Sequence, residues 1–254
     1  MNKHILVILA HQDDEMAFST RISHELVQGN IIHCVFLTDG NANRINKGIR
    51  DSESLSVLCK LGVKTDNVYF IGTKYRIPDG CLPEHVSLAT KSLELTLEGK
   101  IFHRVYCMAY EGGHQDHDAS FCIAINFSTK RNLLNRTWQI PFYNGFKTNY
   151  KLFRVLVPIP ITGRTLLKKL KFTEAYKDTL LVLNYKSQWK TWLGLLPEFL
   201  FQRVIKRNEI LQSVNRISIT QRPHNGLLLY ERLFNYPYSR FNSEIKSIIS
   251  SKND

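Results

Sequence analysis

HILVIL (residues 4–9) runs directly into AHQDDE (residues 10–15), and this stretch decides how the chain is read. A short β-rich apolar run is the pattern of a strand buried on both faces, as in a parallel sheet. The spacing then predicts a helix over residues 15–28, with Met16, Phe18, Ile22, Leu26 and Val27 on its apolar side and Gly29-Asn30 closing it. The same order recurs downstream. Strands are predicted at residues 31–37, 68–71 and 104–109, a polar loop at 38–47, and helices at 49–61, 83–97 and 116–127. Alternating strands and helices imply an α/β fold, a mostly parallel sheet flanked by helices. In such sheets ligands bind beyond the carboxyl ends of the strands, which is where residues 11–15, 38–40 and 112–117 fall.

Beyond residue 145 the periodicity loosens. Helices are expected at residues 165–183 and 187–214 and a closing strand at 227–230, giving a more helical, basic C-terminal region. The domain reading is a core over residues 1–145. Residues 146–254 either complete the same domain or form a substrate-binding subdomain.

With 254 residues, 43% hydrophobic and 11% aromatic, the chain can bury a sizeable core and carries no signature of disorder. Its five cysteines are odd in number and form no C-x-x-C pair, as expected of reduced thiols in a cytoplasmic protein. The first apolar run is too short for a membrane span and ends in acids, unlike a signal peptide. The net charge of +12 is concentrated in residues 147–207, where thirteen Lys/Arg face three acids, Glu174, Asp178 and Glu198.

Residues 10–15 place one imidazole and three carboxylates after the first strand, and HQDH (residues 114–117) places two imidazoles and a carboxylate after another. Either cluster alone could be a solvated or helix-capping group. Two of them at strand ends of one sheet point instead to a divalent cation, because burying such groups uncompensated is costly. A His/Asp/His set with one position left for water is the pattern of a catalytic zinc.

A-H-x-D-D-E followed by H-x-D-H resembles the PIG-L/LmbE-like deacetylase family, and the resemblance extends over residues 1–127. Supporting matches are Leu37-Thr38-Asp39-Gly40, Arg50, Glu53, Leu61-Gly62-Val63 and Pro78-Asp79-Gly80. The resemblance implies a Rossmann-like fold and zinc-dependent (or other divalent metal-dependent) hydrolysis of an N-acetyl group on a glucosamine-containing substrate. It implies His11, Asp14 and His117 as metal ligands and Asp13 as general base. His114 would stabilise the oxyanion or protonate the leaving amine, Asp116 would orient a neighbouring histidine, and Arg50 and Asp79 would touch substrate. Gln12 and Gln115 stand where many relatives have proline, an exchange expected to alter loop stiffness more than ligation. Some relatives place a tyrosine where this chain has Gly112, so the nearby Tyr110 inherits no role.

Two apolar stretches, residues 152–161 and 192–201, lie within the lysine-rich region. They read either as core-packing segments with a solvated basic face or as a surface for anionic membrane or a lipid-linked substrate. No nucleic-acid-binding motif accompanies the charge. The alternatives to sugar deacetylation are amide hydrolysis on another small molecule, such as a thiol conjugate, and a noncatalytic basic lipid- or glycan-binding protein. The expected location is cytoplasmic, with peripheral contact at the inner face of a membrane as an option.

Overall fold

The computed structural model describes residues 2–41, 48–160, 163–214 and 219–250. Its first half contains β1 (His4–Leu9), α1 (Glu15–Val27), β2 (Ile31–Phe36), α2 (Ile49–Leu61), β3 (Val68–Phe70), α3 (Ile71–Tyr75), α4 (Val86–Thr96), β4 (Arg104–Met108), α5 (Gln115–Lys130) and β5 (Thr137–Ile140), the expected alternation with two unexpected additions, α3 and β5. Of the polar loop expected at 38–47, residues 42–47 lie outside the described residues, as does Ile161 of the first apolar stretch.

The second half differs from expectation. It contains the β-hairpin pair β6 (Tyr143–Asn144) and β7 (Arg154–Val155), then β8 (Thr165–Lys169), α6 (Phe172–Leu180), α7 (Trp189–Leu200), β9 (Asn208–Ser213), α8 (Leu229–Leu233), α9 (Tyr238–Glu244) and α10 (Lys246–Ser250). The ends of the two expected helices, at 165–169 and 208–213, are strands. In β9 the buried positions include Glu209 and Gln212, held by Arg21 at 2.7 Å and by donation to the Ile159 carbonyl at 2.9 Å, so its alternation is not one of polarity. β8 is an edge strand exposed along its whole length, and it carries the charged residues Lys168 and Lys169, a composition that discourages edge pairing. The closing strand expected at 227–230 is instead the start of α8, because a Glu231 carboxylate oxygen accepts the Leu228 amide at 2.7 Å and turns the chain into a helix.

The sheet order is β3-β2-β1-β4-β5-β9-β8, with the first five strands parallel and β9 and β8 added antiparallel. The chain winds outward from β1 through β2 in one direction and from β4 in the other. The crevice between β1 and β4 is therefore the topological switch point. Side-chain alternation along β1 divides the core: Ile5, Val7 and Leu9 pack with Phe18, Val57 and Trp192 on one face, and Leu6 and Ile8 with Leu93, Phe121 and Phe241 on the other. The C-terminal helices cover that second face, where α10 packs against α4 and α5.

Candidate metal-dependent active site

At the end of β1 the backbone amides of Ala10 and His11 both donate to Asp14 Oδ2, at 3.1 and 2.7 Å. This turns the carboxylate back over the strand end while Asp14 opens α1. Asp13 occupies the left-handed region at φ 99°, a conformation costly for a non-glycine residue and concentrated at functional sites. Thr38 at the end of β2 steadies the loop, its Oγ1 donating to the Ala10 carbonyl at 2.8 Å. After β4, the Asp118 carboxylate accepts the amides of Glu111 and Gly112 and fixes the approach to α5. A Cβ on Gly113 would lie 1.9 Å from the Tyr143 carbonyl oxygen, so only glycine lets this loop pass β6.

The two clusters meet across the switch point. His11 Nδ1 lies 3.2 Å from His117 Nε2, His117 Nε2 lies 3.0 Å from Asp14 Oδ1, and His11 Nδ1 lies 3.6 Å from Asp14 Oδ2. With zinc–ligand bonds of about 2.0–2.1 Å, a tetrahedral site separates its ligand atoms by roughly 3.3 Å. These separations, with one Asp14 oxygen facing each imidazole, bracket that spacing, and two imidazoles and a carboxylate are the donors zinc takes, so the residues fit a divalent cation. His11 Nε2 lies 3.0 Å from Asp116 Oδ2 and 3.2 Å from Asp79 Oδ1. A proton there leaves Nδ1 as the free donor, the usual arrangement of a carboxylate behind a ligating histidine. Asp116 is itself anchored by the Gly80 and Leu82 amides at 2.6 and 3.0 Å.

Asp13 and His114 flank this triangle. Burial pushes the Asp13 carboxyl up to about 7, against the pull of the Arg50 guanidinium 2.9 Å away. Burial and the neighbouring His11 push His114 down to about 4. His114 also caps α5, its Nδ1 accepting the Asp116 amide at 3.1 Å, which places its proton on Nε2. Burial opposes ionisation of Asp14 and Asp79. His117 and His11 outweigh it at Asp14, and His11 and Arg50 at Asp79, holding both carboxyls below their usual range.

Arg50 does not pair with Glu53 on the helix surface. It is buried, and its guanidinium reaches the Gly40 and Gln12 carbonyls, Asp79 and Asp13. Gln12 and Gln115 each tie a loop by side-chain donation, to the Thr38 carbonyl at 3.3 Å and to the Gly80 carbonyl at 2.9 Å. Tyr110 is directed elsewhere, donating to the Gln221 carbonyl.

A cavity of about 290 Å³ opens over the cluster, and His11, Asp13, Asp14, Arg50, Asp79, His114 and His117 all line it. Asp116 stands behind it. The sequence reading missed its outer wall: Phe142, Tyr143, Ser187, Gln188, Thr191, Leu195 and Phe234. The one available signal was Glu53, whose two oxygens accept the Ser187 amide and hydroxyl at 2.9 and 2.6 Å. Glu15 plays a similar part, accepting the Tyr185 hydroxyl at 2.6 Å.

Residues 6–128 match the family described as PIG-L, GlcNAc-PI de-N-acetylase. These residues are a PIG-L family domain. The PIG-L domain includes every residue of both strand-end clusters. Over 71 residues the chain is 35% identical to a probable N-acetylglucosaminyl-phosphatidylinositol de-N-acetylase of Dictyostelium discoideum, an alignment covering 28% of this chain and 27% of that relative. The fold is similar to the zinc-inhibited form of a teicoplanin deacetylase, with TM-score 0.61 and 15% identity over 82% of this chain and 97% of that one. It is also similar to N,N'-diacetylchitobiose deacetylase from Pyrococcus horikoshii, with TM-score 0.57 and 16% identity over 83% of each chain. At these identities the structural likeness speaks for the fold that carries the PIG-L domain.

Proposed function

We propose that this protein is a metal-dependent N-deacetylase that hydrolyses the acetamide of an N-acetylated amino sugar of the N-acetylglucosamine type, releasing acetate and the free amine. The observation that carries the reading is the convergence of His11, Asp14 and His117 at metal-ligand spacing, with Asp13 and His114 on either side, inside a PIG-L domain. Its cavity is at the small end of ligand sites, a size suited to one sugar unit and its acetamide.

His11, Asp14 and His117 would hold the cation, with zinc the leading candidate for a mixed nitrogen and oxygen set. When bound there, a divalent metal lowers the pKa of water and polarises a carbonyl. Asp13 accepts the proton of the water that attacks the acetamide carbon, and its elevated pKa suits a base working near neutrality. His114, neutral with its proton on Nε2, donates toward the developing oxyanion or toward the departing amine. Arg50 holds the Asp13 carboxylate in place and, with Asp79, faces the substrate hydroxyls. Asp116 fixes the ring of His11. Residues 146–254 complete the same domain, since β9 continues the sheet from β5 and the α7 segment supplies one cavity wall. The acceptor we favour is a sugar carried on an anionic lipid or phosphate, consistent with the basic second half.

An acetate-release assay on metal-loaded protein tests the reaction, using free, nucleotide-linked and lipid-linked N-acetylglucosamine alongside N-acetylated thiol conjugates. Turnover of one or more sugars is expected. Acetate from the thiol conjugates alone would reassign the substrate, and no acetate from any of them would remove the reading.

A further inference from the structure

Of the twenty-one large hydrophobic side chains exposed among the described residues, eleven fall between residues 166 and 205. They are arranged in stripes. Along α6, Phe172, Tyr176 and Leu180 recur every fourth residue in an exposed stripe alongside the buried Ala175 and Thr179. Along α7, Trp189, Leu193 and Leu200 lie together, while Trp192, Leu195 and Phe199 face the core. Trp189 is 60% and Leu193 68% exposed. Leu183 in the turn between the helices and Phe201 and Ile205 after them are exposed as well. Folding therefore divides the apolar stretch at 192–201 between core and solvent, and most of what reaches solvent is large.

Basic side chains border these stripes. Lys171 precedes Phe172, Lys177 flanks the α6 stripe, and Lys190 and Lys206 sit over the rings of Trp189 and Phe201, at 5.6 and 5.0 Å. Arg203 is turned inward, bonded to the Ala17 carbonyl at 2.9 Å, and adds nothing to this surface. Tryptophan and leucine beside lysine is the composition of a helix lying in the headgroup region, with apolar groups entering the acyl boundary and ammonium groups meeting lipid phosphates. An exposed apolar patch of this kind marks an interaction surface, and its charge selects an anionic occupant. No described helix is long and apolar enough to cross a membrane, so any such contact through these helices is peripheral.

We infer that the exposed apolar stripes of α6 and α7 dock this protein on an anionic lipid bilayer. The inference stands apart from the reaction assigned to the cavity. Its consequence for that site is positional: α7 carries Trp189 and Leu193 on one side and lines the cavity with Thr191 and Leu195 on another. Docking would hold the cavity about one helix diameter, ~10–12 Å, from the headgroups.

Tryptophan emission reads the contact without requiring activity. Trp189 is the exposed tryptophan, so full-length protein mixed at low salt with phosphatidylcholine vesicles containing phosphatidylglycerol should show a blue shift. Trp189→Phe should lose that shift while still co-sedimenting with the vesicles. Salt should reverse binding by screening the lysines. The Lys171, Lys177 and Lys190 to Gln triple variant should lower the vesicle partition coefficient about 100-fold, since each basic residue near an anionic surface contributes about fivefold. Because the substituted side chains are exposed, circular dichroism of the variants should match wild type. Equal binding to pure phosphatidylcholine, no binding at low salt, or a shift that persists in Trp189→Phe would overturn the proposal. So would a stable dimer in sedimentation that Trp189→Ala with Leu193→Ala converts to monomer, which would assign the surface to a second copy.

Discussion

Asp13 and Asp14 are neighbours in sequence with opposite electrostatic environments. Asp14 is drawn down by two imidazoles and two backbone amides, whereas Asp13, at a strained backbone angle, is raised by burial and only partly relieved by Arg50. Divergence of two adjacent carboxyls is what separates a ligand from a base in one motif. The same logic reaches Asp116. It touches His11 and the loop at Gly80 but does not line the cavity, so its effect passes through the orientation of His11. Asp116→Asn should weaken metal affinity about 10- to 100-fold, measured by chelator competition, while the variant keeps its fold and regains activity at high metal concentration. Unchanged affinity would show that Asp116 does not orient His11 for the metal. These side chains were legible because β1 and β4 carry their chemistry within a few residues of a strand end. Tyr143, Gln188 and Phe234 were not, because a single aromatic or amide in a poorly periodic region has no pattern to read.

At the scale of elements, the parallel strands β1 to β4 were readable because their runs are β-rich and mostly apolar, whereas β5 was not, since Thr137 and Gln139 alternate with apolar residues in a run of only four. β8 and β9 escaped because their environments break the usual polarity rules: one is an exposed edge and the other buries Glu209 and Gln212 through hydrogen bonds made by distant residues. β2 shows a further exception at the opposite end of the sheet from the site. His33 is buried there, with its Nε2 2.9 Å from His4 Nδ1 and its Nδ1 3.2 Å from the Tyr69 hydroxyl. Burial, aided by the charges of His4 and Lys100, pushes its pKa from 6.5 down to about 4. Between those values the unfolded chain binds a proton that the native imidazole refuses, so stability is fully present above pH 6.5 and is lost as pH falls toward 4. The slope from this one group is at most about 1.4 kcal/mol per pH unit. Urea unfolding of wild type and His33→Gln at pH 7.5 and pH 5 checks it: the variant should lose less stability on acidification. Parallel losses in the two proteins would show that His33 is not the group responsible.

Over the whole molecule, the first 127 residues revealed the sheet, the switch point and the inner site, and the family match covers nearly the same span, residues 6–128. The remainder contributes three strands of the main sheet, the β6–β7 pair, the outer cavity wall and a lysine-bordered apolar surface, assembled in part by contacts between residues more than 100 positions apart, such as Glu53 with Ser187 and Glu15 with Tyr185. Long-range pairings of this kind leave no local periodicity, which is why composition gave the charge of the region but not its architecture. The proposed reaction draws on both halves, and its central requirement is a base distinct from the metal ligands. Acetate release and bound metal, measured together on wild type, Asp13→Asn and Asp14→Asn with a turned-over N-acetylated sugar, test it most directly. The account predicts that Asp13→Asn retains its metal and loses about 10²- to 10⁴-fold in kcat, the range of a general base, while Asp14→Asn loses the metal itself. Near wild-type turnover by Asp13→Asn, or full metal content in Asp14→Asn, would contradict it.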